Sequence, residues 1–269
     1  MTHGTCALVT GASRRIGRAL AEAIAARGAT VGLAARSADE LEALAAALPG
    51  RHHVLPCDVT DAAAVARAVD TFVQCAGGLD LVVANAGVSH YEPFREQPLE
   101  RALSMSEVNW HGTLFTVHAA LPALLARGAG HVVVVSSSAG LRSLPGAAVY
   151  GATRAAQRAF GEALRHELDG TGVSVTVVLP GEIGPRLHAH ERDRLAEWWR
   201  GGAAAASPHA LAARVLEAIE YDDRAVQPSW LVRLLGAVYG VSPRATDALM
   251  RRLPRATRPT RHRAPSAAR

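Results

Sequence analysis

The chain has 269 residues, of which 49% are hydrophobic, enough for one large α/β core with a small appendage. Its net charge of +5 comes entirely from arginine, because the sequence contains no lysine. Aromatic residues make up 4% of the chain, and seven arginines with no acid follow Asp247, so the excess charge belongs to a tail and not to a nucleic-acid groove. The sequence has no apolar run of about 20 residues and no signal sequence, which predicts a cytoplasmic protein without a membrane-spanning helix.

Short apolar runs alternate with helical stretches along the chain. In order, the pattern predicts strands at 5–10, 30–35, 53–59, 79–87, 131–138 and 173–181, with helices over 16–27, 38–48, 61–76, 98–127 and 148–169. A short return to the sheet is predicted near 225–227. Strands with so few polar positions are buried on both faces, so the pattern predicts an α/β fold with a doubly wound, Rossmann-like parallel sheet in a single domain, residues 1–228.

The C-terminal part departs from this alternation. Residues 229–253 have apolar positions at helical spacing and predict an amphipathic helical extension. The extension could pack on its own domain, pair with another subunit in a homo-oligomer, or lie on the inner face of an anionic membrane through its basic residues. Residues 254–269 are rich in arginine, proline, serine and alanine, a composition typical of a disordered tail.

The turn after the first strand, "TGASRRIGRA", holds Gly11 and Gly17 at the start of a helix, where backbone amides can meet a pyrophosphate. Taken alone, the two glycines are explained equally well by close packing of helix on strand. After the second strand, Ala35 stands where an enzyme that uses NAD(H) would have an acid for the ribose hydroxyl. Arg36 and Arg14 could instead bind a 2′-phosphate, which favours NADP(H) over NAD(H).

Several motifs occur in a fixed order: "TGASRRIG", "CDV", "NAG" at 85–87, "NWHG" at 109–112, "SSSAG" at 136–140, "YGATR" and "PG" at 180–181. In order and spacing, from about residue 5 to 185, the chain resembles the short-chain dehydrogenase/reductase family. The resemblance implies that these residues bind the cofactor: Gly11, Ser13, Arg14, Arg15, Ile16, Gly17, Arg36, Asp58, Val59, Asn85, Ala86, Gly87, Pro180, Gly181 and Ile183.

The same resemblance implies a catalytic set of Tyr150, Ser137, Asn109 and Arg154. Tyr150 would be the general acid or base, Ser137 would orient the substrate carbonyl, and Asn109 would hold a helix kink and a proton-relay water. The substrate would be a ketone, an aldehyde or the corresponding alcohol, and its identity cannot be predicted from the sequence. A free phenol is too weak an acid for neutral pH unless a nearby cation stabilises the phenolate.

Position 154 is where the family has a lysine, and here it is arginine. A unit charge about 4 Å away at an effective dielectric of about 20 contributes roughly 4 kcal/mol on either side chain, so the electrostatic part of the role can survive. The planar guanidinium cannot copy all the contacts of an ammonium. Two hypotheses stay open: a working enzyme in a chain that has replaced lysine everywhere, or a catalytically weak nucleotide-binding protein recruited to a membrane or a partner.

Other features of the sequence are less specific. Arg15 stands at the family's middle glycine, and Pro185 stands where a threonine often binds the nicotinamide, a contact that backbone groups near Ile183 could still make. The run "HAHE" at 188–191 is typical of solvated histidines, so no metal site is predicted. Trp198 and Trp199 could cover an apolar ligand or pack on the sheet.

Overall fold

The computed structural model describes residues 4–183, 206–227 and 230–242, together with Arg244 and Ala248. Within these residues seven strands form one sheet. They are β1 (Cys6–Thr10), β2 (Thr30–Ala35), β3 (His53–Pro56), β4 (Leu81–Ala84), β5 (Gly130–Val135), β6 (Val173–Val178) and β7 (Ala225–Val226).

The strands lie in the order β3-β2-β1-β4-β5-β6-β7, and every neighbouring pair is parallel. The chain first builds outward from β1 to β3 and then returns to the other side of β1 with β4. This reversal makes the carboxyl ends of β1 and β4 the switch point at which open α/β sheets bind ligands. The doubly wound parallel sheet predicted from the sequence is confirmed, including the short strand β7 at the predicted return.

Helices cover both faces of the sheet. The described helices are α1 (Arg15–Ala25), α2 (Ala38–Ala47), α3 (Ala62–Ala76), α4 (Leu99–Met105), α5 (Gly112–Arg127), α6 (Ala148–Glu167), α7 (Pro208–Glu220) and α8 (Trp230–Val241). One core cluster packs α1, α2 and α7 on the sheet, and a second packs α3, α5 and α6 on the opposite face. The strands are therefore buried on both sides, as their apolar sequences require.

The predicted helix over 98–127 is interrupted in the structure. A π-helical stretch, Ser106–His111, joins α4 to α5. Such insertions often mark functional sites in helices. Four predicted strands also end about three residues earlier than expected: β3 at Pro56, β4 at Ala84, β5 at Val135 and β6 at Val178. After β3 and β4, polar residues bend the chain into loops that carry Asp58 and Asn85.

Several sequence predictions fall outside the described residues. They concern Pro185, the "HAHE" run, the tryptophan pair and the tail from 254 onward. The domain boundary at residue 228 stays a prediction, although α8 lies in the segment for which a helical extension is expected. Among the described helices, none is both long and apolar enough to cross a membrane.

Candidate active site

The turn after β1 is shaped by two glycines that leave no room for side chains. Gly11 has a φ of 67°, and a Cβ there would lie 2.9 Å from the Cα of Ala86. A Cβ on Gly17 would collide with the carbonyl oxygen of Gly11. No side chain caps the N-terminus of α1. Its first amides, including that of Ile16, are therefore free of a side-chain acceptor and suit an anion.

Arg15 occupies the left-handed region, with a φ of 52°. A non-glycine residue pays for this conformation, because its Cβ approaches the carbonyl oxygen. The sequence signal was an arginine at the position where the family resemblance implies a glycine. In the structure Arg15 has the backbone conformation that glycine adopts most easily, and its guanidinium is exposed to solvent.

The charged residues predicted for cofactor choice lie at neighbouring strand ends. Arg36 follows β2 directly and is exposed. Arg14 is exposed in the turn after β1 and forms an ion pair with Glu40 on α2, to which Ser13 also hydrogen-bonds. A phosphate that bound Arg14 would have to compete with the Glu40 carboxylate, whereas no ion pair of Arg36 is seen in the described part of the chain.

Asn85 ties the loop after β4 to the turn after β1. Its Nδ2 donates to the carbonyl oxygen of Thr10 at 2.9 Å, and its own amide donates to the Thr10 hydroxyl at 3.1 Å. Ala86 and Gly87 continue this loop beside the turn. After β3, Asp58 accepts two hydrogen bonds from Thr60, and Val59 packs against Gly112 at the start of α5. The predicted cofactor residues thus share the carboxyl edge of the sheet.

The loop after β6 closes the same edge. The carbonyl oxygen of Pro180 accepts from the amide of Ser138 at 2.8 Å, which fixes it next to the segment after β5. Gly181 follows, and a Cβ added there would meet no other described atom within 4 Å. Ile183 is buried and forms an isolated parallel bridge with Ala206.

Tyr150 lies in the first turn of α6 and is buried. Its hydroxyl hydrogen-bonds to Ser137, which follows β5 and caps a short 3₁₀ helix, Ser138–Gly140. Two contacts hold α6 against this segment: the Ser136 hydroxyl donates to the carbonyl oxygen of Arg154 at 2.6 Å, and Gly151 leaves space for Ser143. The structure therefore brings the predicted Ser137 and Tyr150 into direct contact.

Arg154 lies one turn further along α6 and is also buried. Its Nη1 donates to the carbonyl oxygen of Val135 at 3.0 Å and to Oε1 of Gln157 at 2.9 Å. Its Cζ lies 5.1 Å from the centroid of the Tyr150 ring, and the two side chains also hydrogen-bond. The Nη2 atom lies over Gly87, where any side chain would collide with it. The guanidinium is thus held in one position beside the tyrosine.

Asn109 connects three elements from within the π-helical stretch. Its Oδ1 accepts from the amide of Val88 at 2.8 Å, and its Nδ2 donates to the Val88 carbonyl and to the hydroxyl of Thr153, both at 3.0 Å. Its main-chain carbonyl accepts from Thr113 at 2.8 Å and from Nε2 of Gln157 at 2.9 Å. A carbonyl oxygen has two lone pairs, and these two donors occupy both of them. The Asn109 carbonyl therefore has no lone pair left for the relay water that the resemblance implies.

The ionisation of Tyr150 depends on these neighbours. Burial raises the pKa of Tyr150, but the Arg154 charge and hydrogen bonds with Ser137, Arg154 and Tyr91 together outweigh it and lower the pKa below its usual value. Arginine keeps its charge at every relevant pH, so this effect does not titrate away. A phenol with a lowered pKa can exchange a proton near neutral pH more readily than a free tyrosine.

Two residues of the site were missed by sequence reasoning. Gln157 is fully buried and bonds to Arg154, Asn109 and Thr113; its position three residues after Arg154, on the same helical face, was an available signal. Tyr91 is buried against Tyr150 with ring centroids 5.3 Å apart. Nothing in the sequence near Tyr91 indicates that contact, because it joins segments 59 positions apart.

The site fits a nicotinamide dinucleotide on the chain's own features. The bare turn at Gly11 and Gly17 and the uncapped start of α1 suit a pyrophosphate. Among the described residues Nε of Arg154 is a buried donor without a partner, and a ribose hydroxyl would satisfy it. A parallel sheet that presents such a turn next to a paired tyrosine and serine has the architecture of a nucleotide-dependent oxidoreductase.

Comparison with known proteins agrees with this architecture. The short chain dehydrogenase family profile matches residues 5–196. An uncharacterized oxidoreductase of Myxococcus xanthus is 43% identical over 186 residues, which cover 68% of this chain and 74% of that protein. The glycine betaine reductase ATRR of Emericella nidulans is 40% identical over 187 residues, only 15% of its length.

Solved structures show the same fold. An alcohol dehydrogenase from Thermococcus sibiricus, complexed with 5-hydroxy-NADP, aligns with a TM-score of 0.72 and 28% identity over 84% of this chain and 94% of its own. A short-chain dehydrogenase from Streptomyces avermitilis aligns with a TM-score of 0.78 and 28% identity, covering 92% and 96% of the two chains. The chain therefore belongs to the short-chain dehydrogenase family, whose members are oxidoreductases that bind nicotinamide cofactors.

The left-handed backbone at Arg15 generates a stability prediction. Arg15→Gly should raise the free energy of unfolding by about 1 kcal/mol, because glycine adopts this conformation without the Cβ clash. The matched control is Arg18→Gly, an exposed position inside α1, which should lower the free energy by about 1 kcal/mol. Urea titration of both variants measures the difference. Equal destabilisation by both substitutions would show that Arg15 is not strained.

Proposed function

We propose that this protein is an NADPH-dependent reductase of ketones or aldehydes, or catalyses the reverse oxidation of the corresponding alcohol, with Tyr150 as general acid or base. The observation that carries the proposal is the buried Tyr150, which hydrogen-bonds to Ser137 and lies beside the fixed Arg154 guanidinium. This arrangement lowers the pKa of a proton donor at the carboxyl edge of the sheet, where a substrate carbonyl can reach it.

Ser137, Tyr150 and Arg154 each have a separate role in the proposed reaction. The bound nicotinamide supplies the hydride. Ser137 donates a hydrogen bond to the substrate carbonyl oxygen and sets its distance from Tyr150. The Tyr150 hydroxyl gives its proton to that oxygen as negative charge develops, and the resulting phenolate is stabilised by the Arg154 charge. In the oxidation direction the phenolate accepts the proton of the alcohol.

The preference for NADPH is supported by charges at two strand ends. Ala35, the last residue of β2, cannot accept a hydrogen bond from a ribose hydroxyl through its side chain. Arg36 follows it in an exposed position, and Arg15 lies in the neighbouring turn. Arg14 is a weaker candidate than the sequence suggested, because Glu40 already neutralises it. The proposal therefore rests mainly on Arg36.

The cofactor preference is measurable by fluorescence titration of NADPH and NADH. NADPH should bind at least tenfold more tightly, roughly 1.4 kcal/mol, because the 2′-phosphate gains a charge-assisted contact. Arg36→Asp should remove most of this preference. Arg224→Asp makes the same change of charge in an exposed position just before β7, at the opposite edge of the sheet, and should leave the preference intact. Equal affinities of the wild type for both cofactors would refute NADPH selectivity.

The roles of Tyr150 and Arg154 can be separated by turnover in a screen of ketones and aldehydes. Tyr150→Phe should abolish turnover but keep NADPH binding, because the hydroxyl acts in proton transfer. Arg154→Met should lose most of the rate, and Arg154→Lys should keep or raise it. In the wild type, the reduction rate should fall as pH rises through the lowered pKa of Tyr150, since only the protonated phenol is an acid. Unchanged turnover in Tyr150→Phe would end this mechanism.

A second function, recruitment to an anionic membrane, is proposed from the face of α8. Leu234, Val238 and Val241 lie on one side of this helix and are 50%, 41% and 88% exposed. The last 40 residues contain nine of the 29 arginines and one of the 24 acids, whereas the preceding residues have more acids than arginines. An apolar face next to concentrated positive charge is complementary to an anionic lipid surface.

The position of α8 links this surface to the active site. Arg142 lies two residues after the short 3₁₀ helix that Ser137 caps. Its guanidinium carbon is 3.8 Å from the centroid of the Tyr239 ring on α8. Tyr239 is on a different side of the helix from the exposed apolar face. The helix can therefore contact the catalytic segment on one side and lipid on the other. A membrane-bound enzyme would then receive lipophilic carbonyl compounds next to its site.

Sedimentation with lipid vesicles tests recruitment. The full-length protein should bind vesicles that contain phosphatidylserine at low salt, and added salt or pure phosphatidylcholine should weaken binding, because both remove the electrostatic attraction. Val238→Glu should reduce binding. Tyr221→Glu alters an exposed apolar residue outside α8 and should not reduce binding.

Truncation after Ser229 should abolish binding while the thermal unfolding transition persists. Absence of binding by the full-length chain would refute recruitment, and loss of folding on truncation would show that α8 is part of the core.

A further inference from the structure

Tyr91 is a buried tyrosine beside the catalytic pair that the proposed mechanism does not use. It belongs to the loop after β4 and is 3% exposed. Its ring packs with Met105, Ala139 and Ala147 around Tyr150, with a centroid distance of 5.3 Å and an interplanar angle of 58° from the Tyr150 ring. The two hydroxyls also hydrogen-bond, and Tyr91 hydrogen-bonds to Ser89.

The loop that carries Tyr91 is anchored on both sides of it. On one side Asn109 holds both the amide and the carbonyl of Val88, at 2.8 and 3.0 Å. On the other side the amide of Glu92 donates to the carbonyl oxygen of Gly146 at 2.9 Å, just before α6. The position of the Tyr91 hydroxyl is therefore determined by the same helices that place Tyr150. Such a constraint is typical of groups that support a reacting side chain.

The direction of the hydrogen bonds follows from the charges around them. Burial, the nearby Tyr150 and the hydrogen bond to it raise the pKa of Tyr91 well above its usual value, so Tyr91 keeps its proton. The pKa of Tyr150 is lowered, despite its burial, by Arg154 and by hydrogen bonds from its neighbours. Tyr91 is thus the donor and the Tyr150 oxygen the acceptor, while the Ser89 hydroxyl donates to Tyr91.

We infer that Tyr91 is a positioning residue that holds the Tyr150 oxygen and stabilises its phenolate form through a hydrogen bond from its own hydroxyl. The inference rests on the proposed function for its catalytic meaning. During reduction the single O–H of Ser137 donates to the substrate carbonyl, so it no longer donates a full hydrogen bond to the Tyr150 oxygen. Three groups face that oxygen: Ser137 from the loop after β5, Arg154 from α6 and Tyr91 from the loop after β4. Of these, Tyr91 is the neutral donor that substrate binding leaves in place.

This donor is more important because position 154 holds an arginine where the family resemblance implies a lysine. Nη1 of Arg154 is committed to Val135 and Gln157, and its Cζ faces the Tyr150 ring from 5.1 Å. The guanidinium spreads its charge over three nitrogens, whereas an ammonium concentrates it on one. A hydroxyl that donates directly to the phenolic oxygen compensates for part of that difference, because hydrogen bonds to charged groups are stronger than neutral ones.

The test is the ionisation of Tyr150 followed by NMR with tyrosine labelled at Cζ. The chain has four tyrosines, and Tyr150 is assigned by the resonance lost in Tyr150→Phe. Tyr91→Phe keeps the ring and removes the hydroxyl. It should move the midpoint of Tyr150 upward by about one pH unit, a tenfold change in its ionisation constant. Tyr221→Phe removes an exposed hydroxyl outside the site and should cause no shift.

Ser89→Ala provides a second variant that leaves both rings in place. It removes the hydrogen bond to the Tyr91 oxygen and should shift the Tyr150 midpoint upward by a smaller amount, because Tyr91 becomes a weaker donor. An unchanged Tyr150 midpoint in folded Tyr91→Phe, or in Ser89→Ala if the first variant does not fold, would overturn the inference. The titration needs no substrate. A shift without turnover of any carbonyl compound would support the role of Tyr91 and contradict the proposed reductase.

Discussion

The contact on which the site depends is the buried guanidinium of Arg154 against the ring and hydroxyl of Tyr150. A buried charge is costly unless its donors are satisfied, and truncating its partners costs several kcal/mol. The carbonyl of Val135 and the amide oxygen of Gln157 satisfy Nη1. Gly87 is required as well, since a side chain there would collide with Nη2. The position of the cation is thus specified by a strand end, a helix and a loop together.

Asn109 and Gln157 extend this constraint to the rest of the fold. Their side chains link the π-helical stretch to the loop after β4 and to α6. In the same way Asn85 joins the turn after β1 to the loop after β4. Each link is a hydrogen bond between segments far apart in sequence and buried or half-buried from water. The cofactor turn and the catalytic pair are consequently both tied to the loop after β4, through Asn85 on one side and through Asn109 at Val88 on the other. A polar group left unsatisfied in either set of hydrogen bonds would cost stability.

The fold was predictable from the sequence, because apolar strands that alternate with helices indicate a parallel sheet. Tyr150, Ser137 and Asn109 were singled out by the family resemblance of their motifs, and the structure brings Tyr150 and Ser137 into contact. The π-helical insertion, the pairing of Arg14 with Glu40 and the contact of Tyr91 with Tyr150 did not follow. They arise from tertiary packing, which joins residues that local periodicity treats as independent. Gln157 was predictable only in part. Its spacing from Arg154 predicts that both lie on one face of α6, but not its hydrogen bonds to Asn109 and Thr113.

The central claim is that the Arg154 guanidinium stabilises the Tyr150 phenolate. Ultraviolet difference titration of phenolate absorption tests it directly, with Tyr150→Phe subtracted to isolate one tyrosine. In the wild type Tyr150 should ionise below the usual tyrosine value of about 10, and in Arg154→Met its pKa should rise, because burial then acts without the opposing charge. The same ionisation midpoint with and without the Arg154 guanidinium would contradict the account.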